Sequence, residues 1–203
     1  MRTGKVHLKE LCTARMGYTF RKKPKIIKEG NVLVIQPKDV SINGELDIKK
    51  ACHTEVSADL RLKEGDVLLI NRGRFTACVF DEAIKEPCVA TSAFLIISPK
   101  EPATLLPEYL ALFFNSTEGQ NTFRRLTETT TIPFIRLGNL ESIEIPLPSI
   151  ERQKALATFG ELNKAYLRLS SRKAKLQKQI IDQQIGTGRP CVCPIKETIS
   201  WPK

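Results

Sequence analysis

Short apolar runs, separated by polar or glycine-bearing turns, fill the first 148 residues of the chain. Such spacing predicts strands. The runs fall at residues 32–35, 67–70, 75–80, 93–97 and 143–147. Pro107 suits the first turn of a helix, with Leu110, Phe113 and Phe114 on the face turned to a sheet until Gly119 weakens the pattern. A second helical piece is expected across residues 123–126. Asn43-Gly44 and Glu64-Gly65-Asp66 are turn-forming, and Pro99, Pro102 and Pro107 punctuate a surface crossing. The expected fold class is mixed α+β, a small mixed sheet with helices.

The pattern changes at Ile145-Pro146-Leu147-Pro148, where two prolines end a strand and Ser149 is placed to cap a helix. From there to Ile185 no proline occurs, and Ala155, Phe159, Leu162, Tyr166, Leu169, Lys173, Leu176 and Ile180 advance by alternating steps of four and three. That is the a/d seam of a coiled coil. A helix of about 36 residues would run ~54 Å, more than a small domain covers, so the seam calls for a second helix. Gly160, Ser170 and Ser171 lower its propensity, and Lys173 interrupts the seam. The expected organisation is therefore a globular domain at 1–148, a long helix at 149–185, and a loosely ordered tail at 186–203. The alternative is a helix folded back on its own domain.

Composition adds a partner. The formal net charge is +10, and nine of the basic residues (Arg2, Lys5, Lys9, Arg15, Arg21, Lys22, Lys23, Lys25 and Lys28) precede Glu29 with Glu10 as the lone carboxylate among them. A polyanion, nucleic acid first, fits that excess, though a solvated basic face explains charge alone equally well. No apolar run approaches the ~20 residues that span a bilayer, so a soluble cytoplasmic protein is expected. The six cysteines are irregularly spaced and are expected to be reduced; the Cys191-Val192-Cys193 pair lacks further ligands nearby for a metal.

Four segments now carry a resemblance: Val6-His7-Leu8-Lys9-Glu10-Leu11 with Gly17-Tyr18-Thr19-Phe20; residues 62–69 around Lys63-Glu64-Gly65-Asp66; Leu106-Pro107-Glu108-Tyr109-Leu110; and Ile145-Pro146-Leu147-Pro148 followed by Glu151 and Gln153. In this order, with a long helix after the prolines, the chain is similar to the specificity subunits of type I restriction-modification systems over residues 1–185. The resemblance implies a non-catalytic target recognition domain and a helical spacer. S-adenosylmethionine, ATP and magnesium would serve separate methyltransferase and restriction/translocase subunits, leaving this chain without a cofactor. Family members usually carry two domains and two spacers; this chain has one of each. Two copies joined through antiparallel helices would read two identical inverted half-sites in double-stranded DNA. A truncated product completed by another chain is the other possibility.

Reading DNA requires donors that reach base edges, held in register by phosphate contacts. Arg72 and Arg74 flank Gly73 directly after a strand, with Phe75 next, and this loop ranks first for base readout; Gly73 would permit close backbone approach. Thr19, Phe20, Arg21, Lys22 and Lys23 form a second basic loop better suited to phosphate. Arg124, Arg125 and Arg136 flank a threonine-rich run containing Thr130. Surface charge is the plain alternative for each of them. The expected dimer contacts are Phe159, Leu162, Tyr166, Leu169, Leu176 and Ile180. Arg152, Lys154, Lys164 and Arg168 are candidate docking positions for a methyltransferase.

Two rival classes remain. A small magnesium nuclease would need carboxylates such as Asp39 and Asp47 beside Lys49, but the short separation and turn-rich setting argue against it. His7 and His53 sit in no recognisable nucleophile setting. A stand-alone DNA-binding or scaffolding protein would have the same sequence features.

Overall fold

A computed structural model describes residues 4–20, 32–47, 52–54, 57, 60–81, 84–127 and 133–187. Its elements run β1 (Lys5–His7), α1 (Leu8–Leu11), β2 (Cys12–Met16), β3 (Val32–Ile35), a 3-10 turn at Pro37–Asp39, β4 (Cys52–Thr54), β5 (Val67–Ile70), β6 (Ala77–Val79), β7 (Cys88–Ala90), β8 (Phe94–Pro99), α2 (Pro107–Asn115), α3 (Thr117–Thr127), α4 (Leu137–Glu141), β9 (Glu144–Pro146) and α5 (Ile150–Thr187). The strands form a two-stranded sheet, β1-β9, an antiparallel four-stranded sheet, β2-β8-β5-β6, and a three-stranded sheet, β4-β3-β7. The third is mixed, because β3 pairs antiparallel with β4 and parallel with β7.

The four-stranded sheet is covered on both faces, and the period-two alternation of a strand divides its side chains between them. Val67, Leu69, Leu95 and Ile97 join Leu110, Phe114 and Phe123 of α2 and α3 in one core. Leu68, Ile70, Phe94 and Ile96 join Leu33, Ile35, Cys88 and Ala90 of the smaller sheet in another. Continuous burial explains why β3 and β5 read as unbroken apolar runs. Val32, Val34 and Val89 point to the far side of the smaller sheet, where Tyr18, Phe20 and Leu60 cover them.

Turns are fixed by specific contacts. Gly65 takes φ 78° in the Glu64-Gly65-Asp66 turn. Buried Asp66 accepts from Lys63 N at 2.9 Å and from Ser98 Oγ at 2.5 Å, tying that turn to β8. Asn115 closes α2 onto β6, accepting from Ala77 N at 2.9 Å and donating to Ala77 O at 2.8 Å.

By its contacts the chain divides into residues 1–160 and 161–203, so about three turns of α5 belong with the globular unit. Gln153 is the reason on the polar side. Fully buried, it accepts from Leu106 N at 2.9 Å and donates to Thr104 O and Pro148 O at 2.9 and 3.0 Å. At Gly160 an added Cβ would lie 2.9 Å from Leu112 Cδ1, which records how closely α5 passes α2 there. In the second unit α5 continues to Thr187, two residues past the expected end; the CxC pair lies outside the described residues.

Cys12, Cys78 and Cys88 are buried. Burial pushes the thiols of Cys12 and Cys88 up to about 12 each from an ordinary 9.0. The folded protein thus holds the proton that an unfolded chain releases above pH 9, so stability should fall as pH rises from 9 toward 12. Urea midpoints across that range should decline, and the double substitution of Cys12→Ala and Cys88→Ala should flatten the decline.

Candidate nucleic-acid interface

Three of the candidate segments meet at one place. After β2, Gly17 N donates to Phe94 O at 3.0 Å, Tyr18 N to Ala90 O at 2.8 Å, and Ser92 N to Tyr18 O at 2.8 Å, which lays residues 17–20 along the turn between β7 and β8. Only glycine fits the first position, since a Cβ on Gly17 would stand 2.1 Å from Thr91 O. The three obstructing atoms, Thr91 O, Thr91 C and Ala90 O, are all backbone. Gly17→Ala is therefore expected to destabilise the fold by about 1–3 kcal/mol, read as a lower denaturant midpoint.

The loop after β5 is anchored at its first residue and strapped beyond it. Buried Asn71 donates from Nδ2 to Ser92 O at 3.0 Å, while its backbone N–H reaches Ala93 O at 3.0 Å. Segment 133–135 then runs beside the loop: Ile135 N donates to Asn71 O and Gly73 N to Pro133 O, both at 2.9 Å, around an antiparallel bridge between Arg72 and Phe134. Gly73 has φ 74°, and nothing lies within 4 Å of where its Cβ would be. The positive φ accounts for glycine at this exposed position.

Around Arg72 these segments enclose an open pocket of about 330 Å³. Met16, Thr19, Asn71, Ser92 and Phe134 line it with Arg72 and Ala93. The Arg72 guanidinium carbon lies 5.4 Å from the centroid of the Phe134 ring, within cation–π range. Among the described residues Arg72 has no hydrogen-bond or ion-pair partner for its five donors, and it is exposed.

The other candidates are placed differently. Arg74 is committed to the protein, one guanidinium nitrogen donating to Val40 O at 2.7 Å and Pro37 O at 3.2 Å. Phe75 lies in the core, its ring 5.6 Å from Phe123, and supports the loop from beneath. Phe20 packs edge-on to Tyr18 at 4.6 Å beside the valines of the smaller sheet, and Thr19 lines the pocket. Arg124 and Arg125 stand exposed on α3, bonded to Asn121 Oδ1 at 3.0 Å and Thr122 Oγ1 at 3.2 Å. Arg136, exposed, precedes α4. Arg21, Lys22, Lys23 and Thr130 lie outside the described residues.

Sequence reasoning missed Phe134, Met16, Ser92 and Ala93, and it placed Asn71 at the head of the loop without giving it a role. A polar Asn71 closing an apolar strand was a usable signal for an anchor, but nothing local marks Phe134 as a partner of Arg72.

Of the carboxylates weighed for magnesium, that of Asp39 has structural work. Asp39 is buried and accepts from Gln36 N at 2.9 Å, closing the 3-10 turn, and its backbone oxygen accepts from Asp47 N at 2.8 Å. Lys49 lies outside the described residues. His7 Nδ1 is 3.3 Å from Ser142 O, and its Nε2 is 3.9 Å from Glu144. Among the described residues no three His, Cys, Asp or Glu side chains gather as metal ligands.

A two-sided sheet, clustered turns and an adjoining long helix define a scaffold that presents loops. The family model of the type I restriction modification DNA specificity domain matches residues 3–180, and the chain belongs to that family. In fold it is similar to a chain in a structure concerned with complex assembly and conformational transition of the type I R-M system, with TM-score 0.67 and 18% identity, covering 90% of this chain and 44% of that one. It is also similar to the HsdS subunit from Thermoanaerobacter tengcongensis, with TM-score 0.60, 16% identity and coverage of 89% and 44%. The type I restriction-modification S subunit from M. genitalium gives TM-score 0.57 and 17% identity, with coverage again 89% and 44%. The chain thus spans less than half the length of these structures. No curated protein matches the sequence.

Proposed function

We propose that this chain is the sequence-reading component of a type I restriction-modification assembly, contributing no bond-breaking chemistry of its own. The family assignment over residues 3–180 supports this most strongly. The convergence of residues 17–20, 71–75 and 133–136 agrees with it, because separate loops on a rigid scaffold form the kind of surface that reads a groove. The excess charge of +10 would hold the duplex through phosphates. Among the described residues no helix is long and apolar enough to cross a membrane, and the reading places the chain with cytoplasmic DNA.

The long helix is read as the element that pairs two copies. Phe159, Leu162, Tyr166 and Leu169 are 62–71% exposed, and Leu176 and Ile180 are 50% and 53% exposed, although all six are apolar or aromatic and share one seam. A seam of this kind is stabilised when another helix buries it. An antiparallel pair would set two recognition domains about a two-fold axis and give a spaced palindrome as target. Methyltransferase and restriction/translocase subunits would dock on the assembly and bring S-adenosylmethionine, ATP and magnesium. Exposed Arg152, Lys154 and Arg168 are docking positions; Lys164 is drawn to Glu161 at 2.7 Å.

The test is co-expression with a methyltransferase subunit followed by mapping of methylated adenines. Methylation at one recurrent motif, dependent on this chain, is expected. Methylation without a motif, or none with an active partner, contradicts the reading. In addition, binding to a labelled duplex should weaken by about 10³–10⁵ between 50 and 200 mM salt if six to ten phosphates are contacted. A salt-independent affinity would remove phosphate contact from the account.

A further inference from the structure

We infer that Arg72 is the guanine-reading residue of this chain and that Phe134 positions it, a claim that rests on the DNA-reading function proposed above. The sequence offers two equivalent arginines on either side of Gly73, and the structure separates them. Arg74 is spent on the carbonyls of Val40 and Pro37, so it fixes the loop to the domain. Arg72 keeps its donors uncommitted among the described residues.

A flexible arginine loses rotamer entropy when it binds, and a planar group must be presented edge-on to meet guanine O6 and N7 together. The Phe134 ring lies under the guanidinium, its centroid 5.4 Å from the guanidinium carbon, and offers the cation a surface that restricts its rotamers. Ring and guanidinium are held in mutual register by backbone. The bridge between residues 72 and 134 is flanked by the Ile135-to-Asn71 and Gly73-to-Pro133 hydrogen bonds, and Asn71 is pinned by its buried side chain to Ser92. The position is thus stiff where reading needs stiffness. The pocket beside the pair, walled by Met16 and Thr19, leaves the base edge room to enter. Phosphate needs none of this, because a charge on any mobile side chain satisfies it.

The test is selection from randomised duplex DNA by the full chain, repeated with Arg72→Ala, Phe134→Leu, Phe134→Tyr and Arg74→Ala, with folding of each checked by circular dichroism. The wild type should enrich a motif containing a guanine that Arg72→Ala no longer selects, with binding to that motif down about 10- to 100-fold and binding to unrelated DNA much less changed. Phe134→Leu should weaken selection at that same guanine and nowhere else, Phe134→Tyr should restore it, and combining Phe134→Leu with Arg72→Ala should add little. Replacing the guanine by 7-deazaguanine, which lacks the N7 acceptor, should penalise the wild type and leave Arg72→Ala indifferent. A motif kept intact by folded Arg72→Ala, or lost at a different base in Phe134→Leu, overturns the inference while sparing the DNA-reading function. Should Arg74→Ala be the variant that loses the guanine, the assignment of roles is reversed and the inference fails. A wild type that enriches nothing removes both.

Discussion

Replacing Leu162 and Leu169 together with lysine should turn a dimer into a monomer in sedimentation velocity and cut affinity for a two-part DNA target by about 10²–10⁴. The two side chains are 64% and 62% exposed and lie one heptad apart on α5, so neither substitution disturbs a packed core. Four added charges in the paired state, two from each copy, would face one another across a seam that excludes water, and desolvating them opposes association strongly. The loss in DNA affinity follows because each copy would then hold one half-site alone, without the effective concentration that linkage supplies. Affinity for an isolated half-site should change little. A dimer that persists in the double variant would assign association to another surface.

Gln153→Leu should cost the globular unit about 3 kcal/mol or more, lowering its thermal midpoint, although leucine has nearly the same volume. The amide fills three backbone groups at once, Leu106 N–H, Thr104 C=O and Pro148 C=O, and is wholly buried. Leucine leaves all three dry and unpaired, at roughly 1–3 kcal/mol for each unsatisfied group less whatever local relaxation recovers. Glutamate should do no better, since a carboxylate cannot donate to two carbonyls. The loss should extend beyond stability, because the same amide fixes the start of α5 to the loop before α2.

Much of this scaffold was legible in the chain where burial is two-sided or periodicity is long. Residues 32–35 and 67–70 emerged with the observed bounds because their runs are apolar throughout, as a strand between two layers must be. Pro107 and the Pro146-Leu147-Pro148 pattern marked helix starts through backbone chemistry alone, and α5 ended within two residues of expectation. Hidden from the sequence were β1, β4 and β7, which have three residues each and show no period, and β2, whose Thr13 and Arg15 break the apolar pattern. The division into three sheets was likewise hidden, since it depends on nonlocal pairing such as the parallel registration of β3 with β7.

The candidate interface follows the same rule. Arg72 was legible as a loop arginine after a strand, and Thr19 as part of a polar loop. What the sequence could not tell was that Arg74 turns back to Val40, that Phe75 is core, and that Phe134 crosses over to underlie Arg72. Each of these is decided by a contact between residues far apart along the chain. Gln153 belongs with them: its place in the motif was visible, and its reason was not.

The central claim, that paired copies of this chain read DNA, is tested most directly by the form of the motif they select. Enrichment of randomised duplexes by the purified chain, followed by sequencing, should return two identical half-sites in inverted orientation across a gap of constant length. Two unlike half-sites, a single half-site indifferent to its surroundings, or no enriched motif would contradict it.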